Sequence, residues 1–237
     1  MGVAWATPVL TATPAGAAGT GVCAYSISTT VGPVTAPGVT ASWSPPLPST
    51  TVPVYGNGVY GAFGPGAVPT LTLSGLAPHL QVAVSLDLYV LGSWEGSPVP
   101  GAQPIPDRWA LRVGTAASPT PPIVFQTSFT NRTAYAPQPG VAAQYYPAQS
   151  PTGPPWNPPN PPGTGAVLRP SPPPLGPLQP FNPYDSSNAN ASKSALYQLV
   201  ITAIPHAAST LVLQFVNQSN SQADETFAFD NLRVCPT

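Results

Sequence analysis

The sequence predicts an all-β protein with a two-sheet antiparallel β-sandwich, and three observations predict it. The 237 residues include 37 prolines, which forbid long helices because proline lacks an amide hydrogen and clashes with the preceding turn. Apolar residues still make up 42% of the chain, which is enough to form a buried core. Several segments alternate apolar and polar residues with the period of two that is typical of strands.

The strands are predicted in chain order. Segment 22–30 alternates well enough for a first strand, and 31–69 is punctuated by Pro and Gly, which indicates short strands and loops. The clearest alternation runs over 80–91, with Asp87 and Tyr89 on the opposite face from Leu80, Val82, Val84, Leu86, Leu88 and Val90. Segments 107–113 and 122–129 follow, and we expect these three strands to be neighbours in one sheet.

Two segments fall outside this pattern. Residues 1–21 are uncharged and end in a Gly/Ala run, so they are predicted to form an extended N-terminal arm next to a single domain over 22–237. Residues 136–183 hold 17 of the prolines, a density that favours polyproline II and predicts a long loop or insertion.

Three closing strands are predicted after residue 195. In the last one, Phe227 and Phe229 share one face while Leu232 and Val234 share the other, which predicts a β-bulge at Asp230–Asn231.

The two cysteines, Cys23 and Cys235, lie in the first and last predicted strands. A disulfide between them would join the two ends of the domain, and two buried free thiols are the alternative. The disulfide favours an extracellular or cell-surface location.

Charge is scarce and unevenly placed. Only 5% of the residues are charged, the formal net charge is −1, and the first charged side chain is Asp87. Such a surface requires a covering, either glycan or neighbouring copies of the chain. Six basic residues argue against nucleic acid as a partner, and no apolar run of 18 residues predicts a membrane span.

Several short motifs resemble secreted jelly-roll-like β-sandwich modules of algal and bacterial cell-surface proteins. The motifs are 85–89, 92–96, 106–109, 125–129, 204–206, 224–227 and 230–234. The resemblance implies a jelly-roll-like fold but no activity. The SPPP, SPP, Thr-Pro and Ala-Pro motifs resemble the hydroxyproline-rich glycoproteins of green algae.

Candidate site residues fall into three sets. Asn131, Asn190 and Asn217 each begin an Asn-x-Ser/Thr acceptor for N-glycosylation, with chance occurrence as the alternative. The acidic residues that could hold a structural calcium at one end of the sandwich are Asp224, Glu225 and Asp230, although Asp–Asn pairs at a bulge commonly bond their own backbone. Three tryptophans could stack on sugar rings, namely Trp43, Trp94 and Trp156.

His79 and His206 each follow a proline and precede an alternating strand, which predicts two equivalent turns rather than a zinc site. We find no catalytic constellation and expect no enzyme. The sequence instead favours a glycosylated structural subunit of an extracellular fibril, sheath or matrix that assembles with copies of itself through the 1–21 arm and a sheet edge. The alternative is a carbohydrate-binding module of a cell-surface protein.

Overall fold

The computed structural model describes residues 22–52, 57–92, 94, 96, 106–130, 144–149, 160, 164–166, 195–219 and 225–237. The described residues form twelve strands: β1 Tyr25–Ser28, β2 Gly32–Thr35, β3 Thr40–Ser44, β4 Ser49–Val52, β5 Asn57–Phe63, β6 Thr70–Ser74, β7 Gln81–Leu91, β8 Arg108–Gly114, β9 Ile123–Ser128, β10 Ala195–Pro205, β11 Thr210–Asn217 and β12 Thr226–Pro236. They include no helix long and apolar enough to cross a membrane.

The strands form two antiparallel sheets, and the predicted β-sandwich is confirmed. Sheet A has the order β10-β7-β12-β1-β2, with β5 also paired to β12 and β4 paired to β5. Sheet B has the order β3-β6-β11-β8-β9.

The last eight strands have the jelly-roll arrangement. β8 pairs with β9, β7 with β10, β6 with β11, and β5 with β12. The chain from β5 to β12 is therefore one long antiparallel hairpin, folded over so that alternate strand pairs enter opposite sheets. Its apolar faces meet between the sheets because each crossover carries the chain from one sheet to the other.

This winding corrects one prediction. β8 and β9 are neighbours as expected, but β7 lies in the other sheet, between β10 and β12. The apolar face of β7 is buried across the core from β8, so the alternation correctly identified a buried face but not the sheet that carries it. Leu80 was also misplaced, since it precedes β7 and is 79% exposed.

The core between the sheets is rich in aromatic side chains. Trp109 packs against Phe125, Phe215 and Phe227 with ring centroids 6.2, 6.2 and 6.3 Å away. On the opposite face of sheet A a second buried cluster consists of Val59, Tyr89, Leu91, Leu196 and Ala228. Tyr89 thus faces away from the central core, as predicted, yet it is buried.

Part of the proline-rich segment belongs to the sandwich. Tyr146 is buried with its ring 5.3 Å from Phe129 and 5.0 Å from Tyr197. Gln144 is buried beside it, and its Oε1 accepts hydrogen bonds from Thr130 N and the Tyr197 hydroxyl, both at 3.2 Å. Residues 144–149 therefore pack on the domain, whereas the rest of 136–183 lies almost wholly outside the described residues. The 1–21 arm also lies outside them.

The ends of the domain are joined covalently. β1 pairs antiparallel with the C-terminal half of β12, and Cys23 and Cys235 form a disulfide across 212 residues of sequence. The predicted pairing is confirmed.

Candidate functional site

The predicted bulge in β12 lies where three strands meet, and we call this place the Asp230 junction. Along one side of β12, β5 pairs with Phe227–Phe229 and β1 pairs with Leu232–Val234. The bulge falls between Asp230 and Arg233, with Asn231 at a φ of 51°. β12 therefore changes partner strand at its bulge, which confirms the bulge predicted from its alternation.

The Asp230 carboxylate fastens this junction. Its Oδ1 accepts a hydrogen bond from the Thr29 amide at 2.9 Å. The Thr29 hydroxyl lies 3.2 Å from Asp230 Oδ2 and 2.8 Å from the Gly58 carbonyl oxygen, so its single hydrogen serves two acceptors. A Cβ on Gly58 would lie 2.9 Å from the Cβ of Thr29, which explains why glycine stands there. Charged acceptors make the stronger hydrogen bonds, so Asp230 holds β1, β5 and β12 together.

We expect Asp230→Ala to lower the free energy of unfolding by about 1.5–3 kcal/mol, because the partly buried Thr29 amide loses a charged acceptor. Urea denaturation followed by tryptophan fluorescence measures this. Asp230→Asn is the matched control: it keeps a carbonyl acceptor for Thr29 and should lose less. Equal midpoints for Asp230→Ala and the wild type would show that the junction contributes nothing.

The structure describes two of the three acidic residues chosen from the sequence, Glu225 and Asp230, and these two do not converge. Asp230 is held by Thr29, Glu225 precedes β12 and is buried, and Asp224 lies outside the described residues. Five residues of extended chain span about 16 Å, so Glu225 and Asp230 cannot reach one ion. The described residues contain no group of three or more His, Cys, Asp or Glu suited to a metal. The sequence missed Asp87, which is paired in register with Asp230 and whose Oδ2 accepts a hydrogen bond from Asn231 Nδ2 at 2.7 Å.

Two of the three tryptophans predicted to stack on sugars pack inside the protein. Trp43 is partly buried against Phe215 and Phe229, with ring centroids 5.8 and 5.6 Å away, and donates to the Tyr25 hydroxyl at 2.9 Å. Burial raises the pKa of Tyr25, and the bond from Trp43 opposes this. Trp94 is 0% exposed. Trp94 is therefore closed to a sugar, Phe215 and Phe229 pack against Trp43, and Trp156 lies outside the described residues.

The structure describes one of the three predicted glycosylation acceptors. Asn131 and Asn190 lie outside the described residues. Asn217 is 2% exposed, and its Nδ2 donates to the carbonyl oxygens of Phe63 at 3.2 Å and Glu225 at 2.9 Å. A glycan on that nitrogen would break these bonds and would have no room, so Asn217 is not an acceptor in the folded domain.

An open cleft of about 640 Å³ lies beside the turn between β10 and β11. Its walls are mainly small and apolar, and its lining contains no Asp, Glu, Lys or Arg: Val113, Gly114, Thr115, Ser118, Pro122, Ile123, Val124, Gln149, Ile204, Pro205, His206, Ala207 and Ala208. His206 is the one titratable side chain in that lining. Both its ring nitrogens are engaged, Nδ1 with His79 Nε2 at 2.8 Å and Nε2 with the Thr210 carbonyl oxygen at 3.1 Å.

The two histidines occupy equivalent turns, as predicted. His79 lies in the crossover from β6 in sheet B to β7 in sheet A, and His206 lies in the crossover from β10 in sheet A to β11 in sheet B. Their direct contact was not predicted. The shared Pro-His-strand pattern was the available signal, and the pairing of β7 with β10 is what makes the two turns adjacent.

Sheet B ends at β3, a strand that differs from ordinary edge strands. β3 pairs with β6, and no described strand pairs with its other edge. Its sequence, TASWS, has no charge and no proline, and every residue except Trp43 is exposed. Monomeric proteins commonly protect such edges with lysine, proline or a bulge. At the edge of sheet A, β2 contains Pro33, which blocks one ladder position.

The molecule is thus a disulfide-closed jelly-roll sandwich with an uncharged, exposed sheet edge. Comparisons with protein-family models, curated proteins and solved structures found no match.

Proposed function

We propose that this protein is a structural subunit of an extracellular fibril, sheath or matrix, in which copies join by strand addition at the free edge of β3. The observation that supports this proposal most strongly is the edge of β3 with which no described strand pairs. All five residues pair with β6 on one side, so alternate residues direct their N–H and C=O groups to the other side, with no charge, proline or bulge in the strand to discourage pairing. An extended segment of another chain can bind there through main-chain hydrogen bonds.

The distribution of charge supports the same proposal. All of β1 to β6 lies within the first 86 residues, which contain no Asp, Glu, Lys or Arg. Isolated soluble domains depend on surface charge to stay apart, so an uncharged flank suits a surface that is covered. Val31 and Val34 beside this flank are exposed apolar side chains, which a second copy would cover.

We assign the donor strand to residues 1–21 of a second copy. That segment is uncharged, contains Val and Leu, and lies immediately outside the disulfide that closes the domain. Exchange of such a segment between identical subunits repeats from copy to copy, and it builds a polymer when the rotation between copies does not close a ring. Glycans on Asn131 or Asn190 and on the proline-rich segment would hydrate what the polymer leaves exposed.

The disulfide supports the location. Disulfides persist in oxidising compartments, and this one joins the first and last strands of the domain. An extracellular or cell-surface site for the assembly is consistent with it. The carbohydrate-binding alternative is weaker, because Trp43 and Trp94 contribute to the core.

We expect removal of residues 1–20 and, separately, Ser42→Lys to abolish polymers while leaving a folded monomer. Lysine on the exposed face of β3 would put a charge in each inter-subunit strand pair. Ala117→Lys is the matched control, because it adds the same charge to an exposed turn residue between β8 and β9. Negative-stain electron microscopy and sedimentation velocity report assembly, and circular dichroism reports the fold.

Each result bears on a separate part of the proposal. Polymers from the Ser42→Lys protein would remove β3 as the acceptor edge, and polymers from the truncated protein would remove the donor. A wild-type protein that stays monomeric when purified in its native, glycosylated form would overturn the structural role.

A further inference from the structure

The contact between His79 and His206 is part of a continuous chain of polar contacts. His79 Nδ1 lies 2.7 Å from the Ala77 carbonyl oxygen, His79 Nε2 lies 2.8 Å from His206 Nδ1, and His206 Nε2 lies 3.1 Å from the Thr210 carbonyl oxygen. The two ring planes lie at 18° to each other and the centroids are 5.0 Å apart, as for nearly coplanar rings that meet edge to edge through the Nε2–Nδ1 contact. The chain runs from one crossover turn, through both imidazoles, to the start of β11.

The three contacts set the number of ring hydrogens that would satisfy them. Carbonyl oxygens only accept, so each of the three contacts needs one hydrogen from a ring nitrogen. Two neutral imidazoles carry one N–H each and supply two, which leaves one contact between two lone pairs. Two imidazolium rings supply four, which places two N–H groups face to face between the rings. One added proton on the pair supplies the three that the contacts require.

We propose that His79 and His206, hereafter the histidine pair, form a proton-binding site that holds a single shared proton and thereby fastens the two crossover turns to each other. The fastening weakens on both sides of this state. Removing the proton at higher pH sets two lone pairs against each other, and adding a second at lower pH sets two N–H groups against each other.

The surroundings decide which ring carries the charge. His206 is buried, whereas His79 is partly exposed to solvent. Burial lowers the pKa of His206, the neighbouring His79 lowers it further, and the carbonyl groups of Thr210 and Gly114 oppose this. In the proposed arrangement His79 therefore acts as the donor in the contact with His206. His206 stays neutral, with its hydrogen on Nε2.

The lowered pKa of His206 determines how the stability of the folded protein changes in acid. Because the folded state disfavours a proton on this ring, stability falls as pH drops from the ordinary histidine value of about 6.5 through the lower folded value. On the other side, loss of the shared proton sets two ring lone pairs against each other at 2.8 Å, which weakens the contact between the turns. The pair thus contributes a maximum between two losses.

Few other charged side chains lie on the strands around the histidine pair. The strands around the histidine pair carry charged residues only on β7, β8 and β12, because β6, β9, β10 and β11 have none. Those residues, with the tyrosines at the far ends of β7 and β10, are Asp87, Arg108, Arg112, Asp230, Arg233, Tyr89 and Tyr197. Asp87 is six residues beyond Gln81, or about 20 Å along the strand. The main-chain oxygen of Thr237 accepts hydrogen bonds from Leu80 and Gln81 at 3.3 and 3.1 Å. A carboxylate at Thr237 would therefore lie near the turn that contains His79, and it needs its own control.

The two turns that the histidine pair joins are also in backbone contact. His206 N donates to the Leu80 carbonyl oxygen at 3.1 Å, and Leu76 N donates to the Ser209 carbonyl oxygen at 3.0 Å. The pair is thus a proton-dependent addition to a preformed contact between turns. Because His206 also lines the cleft, its protonation changes one wall of that cleft.

Long-range ¹H–¹⁵N NMR of the imidazole rings in the wild-type protein, from pH 4 to 9, tests the proposal directly. We expect a pH range in which both nitrogens of His79 and Nε2 of His206 carry hydrogens while Nδ1 of His206 is unprotonated. Independent titration of both rings at the ordinary value, or two neutral rings across the range near pH 6, would overturn it. This measurement needs no variant.

The pH dependence of unfolding gives a second test. His79→Gln retains an amide donor toward His206 but does not titrate, so its profile should lose the fall in stability that the wild type shows at higher pH. We expect the wild-type unfolding equilibrium constant to rise about tenfold over that fall, the size of one hydrogen bond. A Gly-Gly extension after Thr237 controls for a terminal carboxylate. Parallel profiles for His79→Gln and the wild type would contradict the proposal.

Discussion

Replacing both cysteines, as Cys23→Ser/Cys235→Ser, is expected to lower the free energy of unfolding by about 5 kcal/mol on the loop-entropy model. The disulfide spans 212 residues, so it removes a large share of the freedom of the unfolded chain. Domains are commonly stable by about 5–15 kcal/mol, and the loss is a large part of that. Guanidinium denaturation of the oxidised wild type and of the double variant measures the difference.

The reduced wild-type protein provides the matched control. Reductant should move the wild-type midpoint to that of the double variant and leave the double variant unchanged. If reductant does not shift the wild-type midpoint, the disulfide adds no stability and the ends of the domain are held by other contacts.

The loss should begin at one place in the sheet. Among the described strands, β1 pairs with three residues of β12, and β2 is joined to sheet A through β1 alone. Without the disulfide, amide hydrogen exchange should accelerate first in β1 and β2 and later in β7 and β11, which are paired on both sides. Uniform acceleration across all strands would instead place the effect entirely in the unfolded chain.

The sequence predicted the sandwich because its strands carry local signals. The alternation of β7, the shift of alternation at Asp230 and the placement of the two cysteines each depend on a few neighbouring residues, and each is confirmed. The jelly-roll winding adds strand pairs such as β5 with β12 that are distant in sequence. Periodicity reports which face of a strand is buried and does not report its partner, so β7 was assigned to the wrong sheet.

The site residues were harder to predict for a related reason. Asn217, Trp43 and Trp94 belong to residue types that serve at surfaces as well as in cores, and their burial depends on packing from distant strands. The Asn-x-Ser motif alone marks Asn217 as a glycosylation acceptor. It contains no information about the carbonyl oxygens of Phe63 and Glu225, to which the Asn217 side chain donates in the folded protein. The contact between His79 and His206 was hard to predict for the same reason, because the two turns that hold them meet only once β7 and β10 have paired.

The proposals about the histidine pair and about the β3 edge rest on different parts of the fold. The histidine pair joins the crossovers that adjoin β7 and β11, whereas β3 is the terminal strand of sheet B. A variant such as Ser42→Lys should therefore leave the proton chemistry intact, and His79→Gln should leave assembly intact. Failure of one proposal does not carry the other with it.

Trp94→Ala is expected to lower the free energy of unfolding by about 3–5 kcal/mol, the usual cost of deleting a buried tryptophan. The ring is 0% exposed and lies edge-on to Phe129 at 6.4 Å between centroids. Its Nε1 donates to the carbonyl oxygens of both Leu91 and Thr226 at 2.9 Å, and these are the residues at which β7 ends and β12 begins. The side chain therefore ties two paired strand ends as well as filling space.

Trp94→Phe separates these two contributions. It keeps an aromatic ring and removes the donor, so the buried contact to Leu91 and the partly buried contact to Thr226 are lost and the expected cost falls to about 1–3 kcal/mol. Thermal and urea denaturation of the three proteins give the comparison. If Trp94→Ala unfolds at the wild-type midpoint, the ring is not part of the core, and a sugar-stacking role for Trp94 returns as the better explanation of this tryptophan.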